Sequence, residues 1–252
     1  CMPIAWNTIT QKCFHMAAMV YKPEDLKPDN WLYWTNQAQN WNSMCASCHS
    51  TNLEKGLNTL TNTYATTFSE INVSCEACHG PGSEHVKMAK TKTYNPTQTG
   101  LFAKAKSNVA QVEQCAPCHA RRTELTSKFS VDQAFHNLFM PQTLNATFYE
   151  KDGQIKEEDY VYASFASSKM YHNKVSCVDC HNPHSNKLKQ EGNALCLQCH
   201  EPKYAENEHH KHEPNTQQSL CISCHMTGKT YMGNDFRRDH SFRVPRPDQS
   251  VH

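Results

Sequence analysis

The pattern of hydrophobic and polar positions along this chain predicts short elements separated by long polar connections. Between residues 148 and 165, two segments rich in β-branched and aromatic residues flank Asp152 and Gly153, which predicts a β-hairpin. The stretch SEHVKMAK predicts a short helix with its first residue, Ser83, as the N-cap. Two prolines near the C-terminus predict an extended strap, and no apolar run reaches the length of a membrane span.

The amino-acid composition is unusual for a globular protein, being low in apolar residues and high in cysteine and histidine. Hydrophobic residues make up 38% of the 252 residues and the mean hydropathy is −0.76, so apolar side chains alone would form a thin core. The chain also carries 14 cysteines and 16 histidines, far above ordinary usage. A net charge of +1 argues against a nucleic-acid partner. A group other than side chains is therefore expected to fill the interior.

Twelve of the 14 cysteines belong to six copies of one motif, C-x-x-C-H. The cysteine pairs are Cys45 and Cys48, Cys75 and Cys78, Cys115 and Cys118, Cys177 and Cys180, Cys196 and Cys199, and Cys221 and Cys224. The histidines that follow them are His49, His79, His119, His181, His200 and His225. This motif attaches c-type haem, with two thioethers to the porphyrin and the imidazole on the iron. Four-cysteine zinc sites and redox dithiols are the alternatives, but neither requires a histidine after the second cysteine. The sequence therefore predicts six c-type haems as the missing core.

The spacing of the motifs predicts one hexahaem domain over residues 1–252. Residues 1–120 hold three motifs, residues 121–176 form a connector with the hairpin, and residues 177–252 hold three more. The predicted fold class is a multihaem cytochrome c with a haem core, short α-helices, long irregular segments and one β-hairpin near 148–165.

Each iron needs a second axial ligand, and ten histidines lie outside the motifs. His85 and His184 follow their own motif histidines so closely that each starts on the proximal side of its haem, so each is predicted to bind a neighbouring haem. One ligand is expected among His209, His210 and His212, and His212 is favoured because it precedes the last motif at a modest spacing. A surface metal site is the alternative for this cluster. Methionine ranks second as a distal ligand.

The segments NWNSMCASCHSTNL, SCEACHGPGSEHV, SSKMYH, CVDCHNPHS and FRRDHSFRVPRPD resemble bacterial multihaem c-type cytochromes. The similarity is to the group whose haem domain often precedes tetratricopeptide repeats, distant relatives of the cytochromes of hydroxylamine oxidation and ammonia-forming nitrite reduction. The resemblance implies one distal ligand in the cluster EHHKH and five others, which are His15, His85, His172, His184 and His240. It leaves His136 and His252 without a role. Such relatives carry further haem motifs beyond both ends, so this chain is expected to be a trimmed or shortened member.

These observations predict an electron carrier rather than an enzyme, with six bis-histidine haems passing electrons through or between proteins. The alternative is an oxidoreductase that acts on a small nitrogen compound at one open iron. No C-x-x-C-K motif, which nitrite-reducing relatives often carry, occurs in the sequence. A further hypothesis makes the carrier a subunit that stacks end to end into a conductive filament.

Thioether-linked haem and an oxidising environment indicate a location outside the cytoplasm: periplasmic, cell-surface or extracellular. The expected partners are redox proteins or identical subunits, with no nucleic acid. A membrane is expected only if Cys1 is lipidated. The two cysteines outside the motifs, Cys1 and Cys13, are predicted to form a disulfide.

Overall fold

A computed structural model describes residues 4–15, 26–93, 95, 98–102, 105, 107–231 and 234–249 of the chain. The α-helices in this part are α1 (Trp41–Met44), α2 (Ala46–His49), α3 (Glu76–His79), α4 (Ser83–Lys90), α5 (Asn108–His119), α6 (Phe135–Leu138), α7 (Tyr162–Ala166), α8 (Lys169–His172), α9 (Cys177–Cys180), α10 (Asn207–His210) and α11 (Cys221–His225). Short 3₁₀ helices span Gln37–Gln39, Gly192–Leu195, Pro202–Ala205 and Gln217–Ser219. No helix of the described residues is long and apolar enough to cross a membrane.

The strands in the described part of the chain are two to four residues long, and they form two-stranded sheets. They are β1 (Ile4–Asn7), β2 (Lys12–His15), β3 (Ser50–Thr51), β4 (Leu57–Asn58), β5 (Thr63–Tyr64), β6 (Glu70–Ile71), β7 (Arg122–Glu124), β8 (Phe139–Pro141), β9 (His181–Asn182), β10 (Lys187–Leu188), β11 (Gly228–Tyr231) and β12 (Asp235–Arg238). The pairs are β1 with β2, β3 with β6, β4 with β5, β7 with β8, β9 with β10, and β11 with β12. A two-stranded ribbon is marginal in water by itself, so these ribbons depend on what packs against them.

The chain divides into two compact units. The first comprises Cys1–Lys104, Thr123–Met140 and Met232–Asn234, and the second comprises Ala105–Arg122, Pro141–Tyr231 and Asp235–His252. The first two haem motifs lie in the first unit and the other four in the second. The polypeptide thus groups the third motif with the C-terminal motifs. The division of the haems into halves at 1–120 and 177–252 stays a prediction.

The first unit has a small aromatic core built around α6. Phe135, Leu138 and Phe139 are buried there, and the rings of Phe135 and Phe139 stack with centroids 5.4 Å apart. A buried threonine, Thr51, links the two motifs of this unit. Its hydroxyl donates to the carbonyl of Asn72 at 2.9 Å and accepts from the amide of Ser74 at 2.9 Å.

The second unit has its core along one face of α5. Val112, Ala116 and Ala120 are buried at a spacing of four residues, which places them on one side of the helix and its end. The Ser107 hydroxyl caps this helix by accepting from the Ala110 amide at 3.2 Å. Tyr149, Ile155 and Phe165 complete the buried apolar set of the unit.

The turn of the predicted hairpin is confirmed, but the hairpin is shorter than predicted. The Glu150 amide donates to the Gln154 carbonyl at 2.8 Å, and Gly153 has the positive φ of 86° that the turn requires. Tyr149 and Ile155 then form an antiparallel bridge, but the pairing stops there and Tyr162–Ala166 is the helix α7. The second arm leaves the hairpin because Tyr160 bridges Ala120 instead.

The predicted helix SEHVKMAK is confirmed as α4, but its cap is shifted by one residue. Ser83 is the first helical residue, and Gly82 takes the N-cap position without a side chain. The Gly82 amide donates to the Glu76 carboxylate at 2.8 Å, so a side chain from α3 satisfies this end of the helix.

Candidate functional site

The motif backbones each close a helical turn, and the third motif forms the end of the longer helix α5. The amide of the motif histidine donates to the carbonyl of the first cysteine at 3.0 Å in His49, 2.9 Å in His79 and 3.1 Å in His200. Residues at i, i+3 and i+4 share one face of a helix, so such a turn gathers both thiols and the imidazole on one side. This is the arrangement that thioether attachment and axial ligation of one haem require.

In the second unit, the cysteines of successive motifs lie against each other. The thiols of Cys115 and Cys177 share a hydrogen bond, which lowers the pKa of Cys115 and raises that of Cys177. Burial raises the pKa of Cys196 to about 12, and the adjacent Cys221 thiol adds to this effect. The third and fourth motifs are therefore adjacent, and so are the fifth and sixth.

Two amide side chains hold these adjacent motifs together. Gln111 donates to the Cys115 sulfur at 3.4 Å and accepts from the Cys177 amide at 3.0 Å. Asn193 likewise accepts from the Cys221 amide at 2.8 Å and donates to the Ser219 carbonyl at 2.9 Å. Each amide lies one helical turn before one motif and binds the first cysteine of another. Sequence reasoning missed both residues, because their partners are distant along the chain.

Backbone carbonyls fix the tautomer of three histidines. The Nδ1 of His85 lies 2.7 Å from the Thr99 carbonyl, that of His225 lies 2.9 Å from the Arg243 carbonyl, and that of His240 lies 2.9 Å from the Arg238 carbonyl. A carbonyl only accepts, so each neutral imidazole carries its proton on Nδ1 and its lone pair on Nε2. That is the usual form of a metal-binding histidine.

Two motif histidines face a second imidazole at the spacing that a shared iron requires. The rings of His181 and His240 have centroids 6.4 Å apart at an interplanar angle of 22°. The rings of His225 and His209 are 6.1 Å apart at 11°. Bonds of about 2 Å from one metal to two opposed imidazoles place the ring centroids about 6 Å apart. These residues therefore fit a haem iron between each pair.

Hydrogen bonds to the backbone account for a third pair of histidine rings at a similar distance. His210 and His212 are 6.1 Å apart at 13°, but both nitrogens of His210 are engaged within the backbone. Its Nε2 donates to the Ala205 carbonyl at 3.1 Å, and its Nδ1 accepts from the His212 amide at 3.2 Å. Hydrogen bonding, not a metal, sets this spacing.

Burial favours the neutral form of three histidines in the second unit, the form that binds a metal. It lowers the pKa of His119, and the nearby charges of Arg237 and His181 lower it further. Burial also lowers the pKa of His181 and of His240. A neutral imidazole binds a metal without first losing a proton.

The structure distributes the predicted distal histidines in proportion to the motifs. His15, exposed at the end of β2, and His85 on α4 lie in the first unit with two motifs. The other four predicted ligands lie in the second unit with four motifs. They are His172 on α8, the exposed His184 and His212, and the half-buried His240. Only His240 is paired with a motif histidine as described above, and the others stay predictions.

Two other histidines, the two cysteines outside the motifs and the C-terminal segment were also named in the sequence analysis. His136 lies exposed on α6, and His252 lies outside the described residues. Cys13 is exposed on β2, whereas Cys1 lies outside the described residues, so the disulfide stays a prediction. The predicted C-terminal strap has no regular structure over residues 242–246, but residues 247–249 form a turn, in which the Gln249 amide donates to the Arg246 carbonyl, and are not extended. The Arg243 carbonyl of this segment orients His225.

Two family profiles match parts of the sequence. The family described as cytochrome c554 and c-prime matches residues 8–80, and the doubled CXXCH motif matches residues 171–205. These segments contain the first and second motifs and the fourth and fifth motifs. No curated protein matches the sequence.

Two solved structures resemble the chain. The crystal structure of the outer cell wall cytochrome OcwA aligns with a TM-score of 0.63 at 16% identity, covering 98% of this chain and 62% of that one. An undecahaem cytochrome from the S-layer of Carboxydothermus ferrireducens aligns with a TM-score of 0.44 at 18% identity, covering 93% of this chain and 42% of that one. The chain thus spans less than two thirds of either structure.

Motifs, profiles and the likeness to OcwA together give the chain a multihaem c-type cytochrome fold, with several haems attached through C-x-x-C-H motifs. The predicted fold class of short helices, small hairpins and irregular segments is confirmed. The narrower resemblance to the group with tetratricopeptide repeats stays a prediction.

Proposed function

We propose that this chain carries electrons through six covalently attached c-type haems, each iron bound by two histidines. A bound haem supplies reversible one-electron chemistry to such a carrier. The protein's part is to attach the haems, orient the axial imidazoles and hold neighbouring attachment points together. The observation that carries the proposal is the pairing of His181 with His240 and of His225 with His209.

These pairs support a carrier because they close both axial positions. An oxidoreductase of the alternative kind needs an open position at one iron. The distribution of motifs and distal candidates, two with two and four with four, supplies enough histidines for each unit to close all its irons from within. In the cluster that begins at His209, we propose His209 in place of His212 as the ligand.

Adjacent motifs define an order for electron transfer in the second unit. Cys115 contacts Cys177, and Cys196 contacts Cys221. Burial raises the pKa of Cys180, and the nearby Cys199 adds to this effect. Cys180 in turn adds to the raised pKa of Cys196, so it lies close to the fifth motif and joins the two pairs. We therefore propose a continuous path from the third motif through the fourth and fifth to the sixth.

We also propose that the carrier works outside the cytoplasm, at the cell surface, and exchanges electrons with redox proteins or further copies of itself. The likeness of fold to an outer cell wall cytochrome supports this location. Thioether attachment of haem through paired cysteines supports it independently, since it requires an exported chain.

Low-temperature EPR of the oxidised holoprotein, combined with its intact mass, tests the proposal. The mass counts the attached haems, and EPR separates six-coordinate low-spin irons from open high-spin irons. Six haems without a high-spin signal are expected. One haem equivalent of high-spin iron in the native protein would contradict complete bis-histidine ligation and favour the oxidoreductase.

A further inference from the structure

A buried acidic cluster in the second unit has no role in haem attachment. The carboxylate of Asp159 is 1% exposed, and Tyr149 beside it is 5% exposed. Among the described residues, the Asp159 oxygens and the Tyr149 hydroxyl make no hydrogen bond of ordinary geometry, and the hydroxyl acts on the carboxylate only through a weaker contact between these two residues. The nearest cation is Arg121, whose Nε lies 4.0 Å from the carboxylate. Native proteins rarely leave a buried acid so poorly satisfied without a function.

This cluster lies between two segments that carry proposed iron ligands. Tyr160, next to Asp159, forms an antiparallel bridge with Ala120, which follows the motif residue His119. Arg121 also donates to the Glu158 carbonyl at 3.0 Å. On the other side, the Ile155 amide donates to Asp239 at 3.4 Å, one residue before His240. Asp159 is therefore next to the residue that bridges to the end of the third motif.

The groups that face Asp159 favour its protonated form. Burial raises the pKa of Asp159, while the Tyr149 hydroxyl and Arg121 offset only part of this effect. Burial also raises the pKa of Tyr149, so the phenol stays neutral. The wider surroundings add two more acids, Asp239 and Glu158, and a tyrosine, Tyr231, whose pKa is raised to about 12. Arg237 pairs with Glu158, so its charge is already compensated.

A small cavity connects this acid with the surface. It is lined by Asp159, Tyr160, Tyr231 and Arg237, among others, and measures about 230 Å³ including the space open to solvent. Asp159 is therefore buried in the wall of a surface opening, and this is the side from which solvent approaches it.

We propose that Asp159 is a proton acceptor coupled to reduction of the haem at the third motif. This inference rests on the proposed electron-carrier function. When one electron arrives from an external donor, the added negative charge acts on the nearby carboxylate through poorly screened protein interior. The carboxylate then binds one proton from bulk water, and oxidation of the haem releases both the electron and the proton.

A redox titration of the holoprotein, followed by haem absorbance between about pH 5 and about pH 9, tests this coupling. In the wild type, one midpoint potential should fall as the pH rises, because a less available proton stabilises the reduced state less. Asp159→Asn should reduce this pH dependence by at least half. Glu191→Gln removes an exposed carboxylate of the same unit that does not line this cavity, and it should leave the dependence unchanged.

Tyr149→Phe provides a second and opposite readout. It removes a hydroxyl that stabilises the ionised carboxylate, so the pH range over which the potential changes should move upward. If Asp159→Asn does not fold, this shift decides the matter, and an unmoved range overturns the inference. Potentials that are independent of pH in the wild type, or unaltered in Asp159→Asn, also overturn it. Haems that are not reduced reversibly at any pH would instead contradict the carrier function itself.

Discussion

Hydrogen bonding at single residues ranks the candidate ligands within one histidine cluster. The sequence EHHKH offers three imidazoles within four residues, and spacing alone cannot rank them. His210 is excluded because both its nitrogens bind the backbone, whereas His209 faces His225 with nearly parallel rings. The α-helical turn of α10 turns His209 toward the last motif, and His212 lies after the helix has ended.

The substitution His209→Ala should therefore open one iron. Loss of the distal imidazole leaves the iron of the sixth motif with one axial protein ligand, so one haem equivalent should become high-spin in EPR. His212→Ala is the matched control, and its spectrum should equal that of the wild type. A high-spin signal in His212→Ala with an unaltered His209→Ala would restore the ligand that the spacing favoured.

A single contact between short elements orients His85, a predicted ligand of the first unit. The carbonyl of Thr99 holds the imidazole of His85 on α4, and the next residue, Gly100, packs directly on the helix. Gly100 has φ +71°, and a Cβ there would lie 2.7 Å from the His85 backbone nitrogen. A glycine is needed at this position for both conformation and space.

Gly100→Ala should destabilise this contact by about 1 kcal/mol or more, because it adds backbone strain to a steric clash. We expect a lower midpoint of chemical denaturation and an altered EPR or absorbance signature at one haem of the first unit. Gly82→Ala is the matched control on the same helix, since its φ is −95° and its Cβ would meet nothing closer than 3.6 Å. Equal effects of the two substitutions would remove the special role of Gly100.

At the scale of the whole molecule, the protein's own apolar core is small. Ten hydrophobic residues are buried among the described residues, and they are divided between the two units. Large apolar side chains such as Leu60 and Ile9 are 96% and 91% exposed. The haems that the motifs attach are large apolar groups, so they add to this small core.

The haem-free chain is accordingly predicted to have no cooperative unfolding transition. Its few buried side chains cannot offset the conformational entropy of ordering so many irregular segments. Circular dichroism during heating should show a gradual change in protein made without haem attachment, and a cooperative transition in the holoprotein. A cooperative, native-like transition in the haem-free protein would show that the polypeptide core suffices.

Local chemistry made several features readable from the sequence. The C-x-x-C-H motifs predict covalent haem because thiols and imidazole within five residues act as one unit, whatever surrounds them. The turn at Asp152-Gly153 and the helix SEHVKMAK were also predictable, since a φ-permissive glycine and eight residues without a helix breaker act locally. The thin core followed from composition alone.

Contacts between residues distant along the chain could not be predicted from the sequence. The pairing of His240 with His181, the bridges made by Gln111 and Asn193, and the position of Asp159 beside the third motif join residues far apart in sequence. The second arm of the predicted hairpin likewise left its local partner for Ala120. What each segment can bind is predictable from its residues, because bonding capacity belongs to the side chains. Which segments lie together is not, because that depends on how the chain packs.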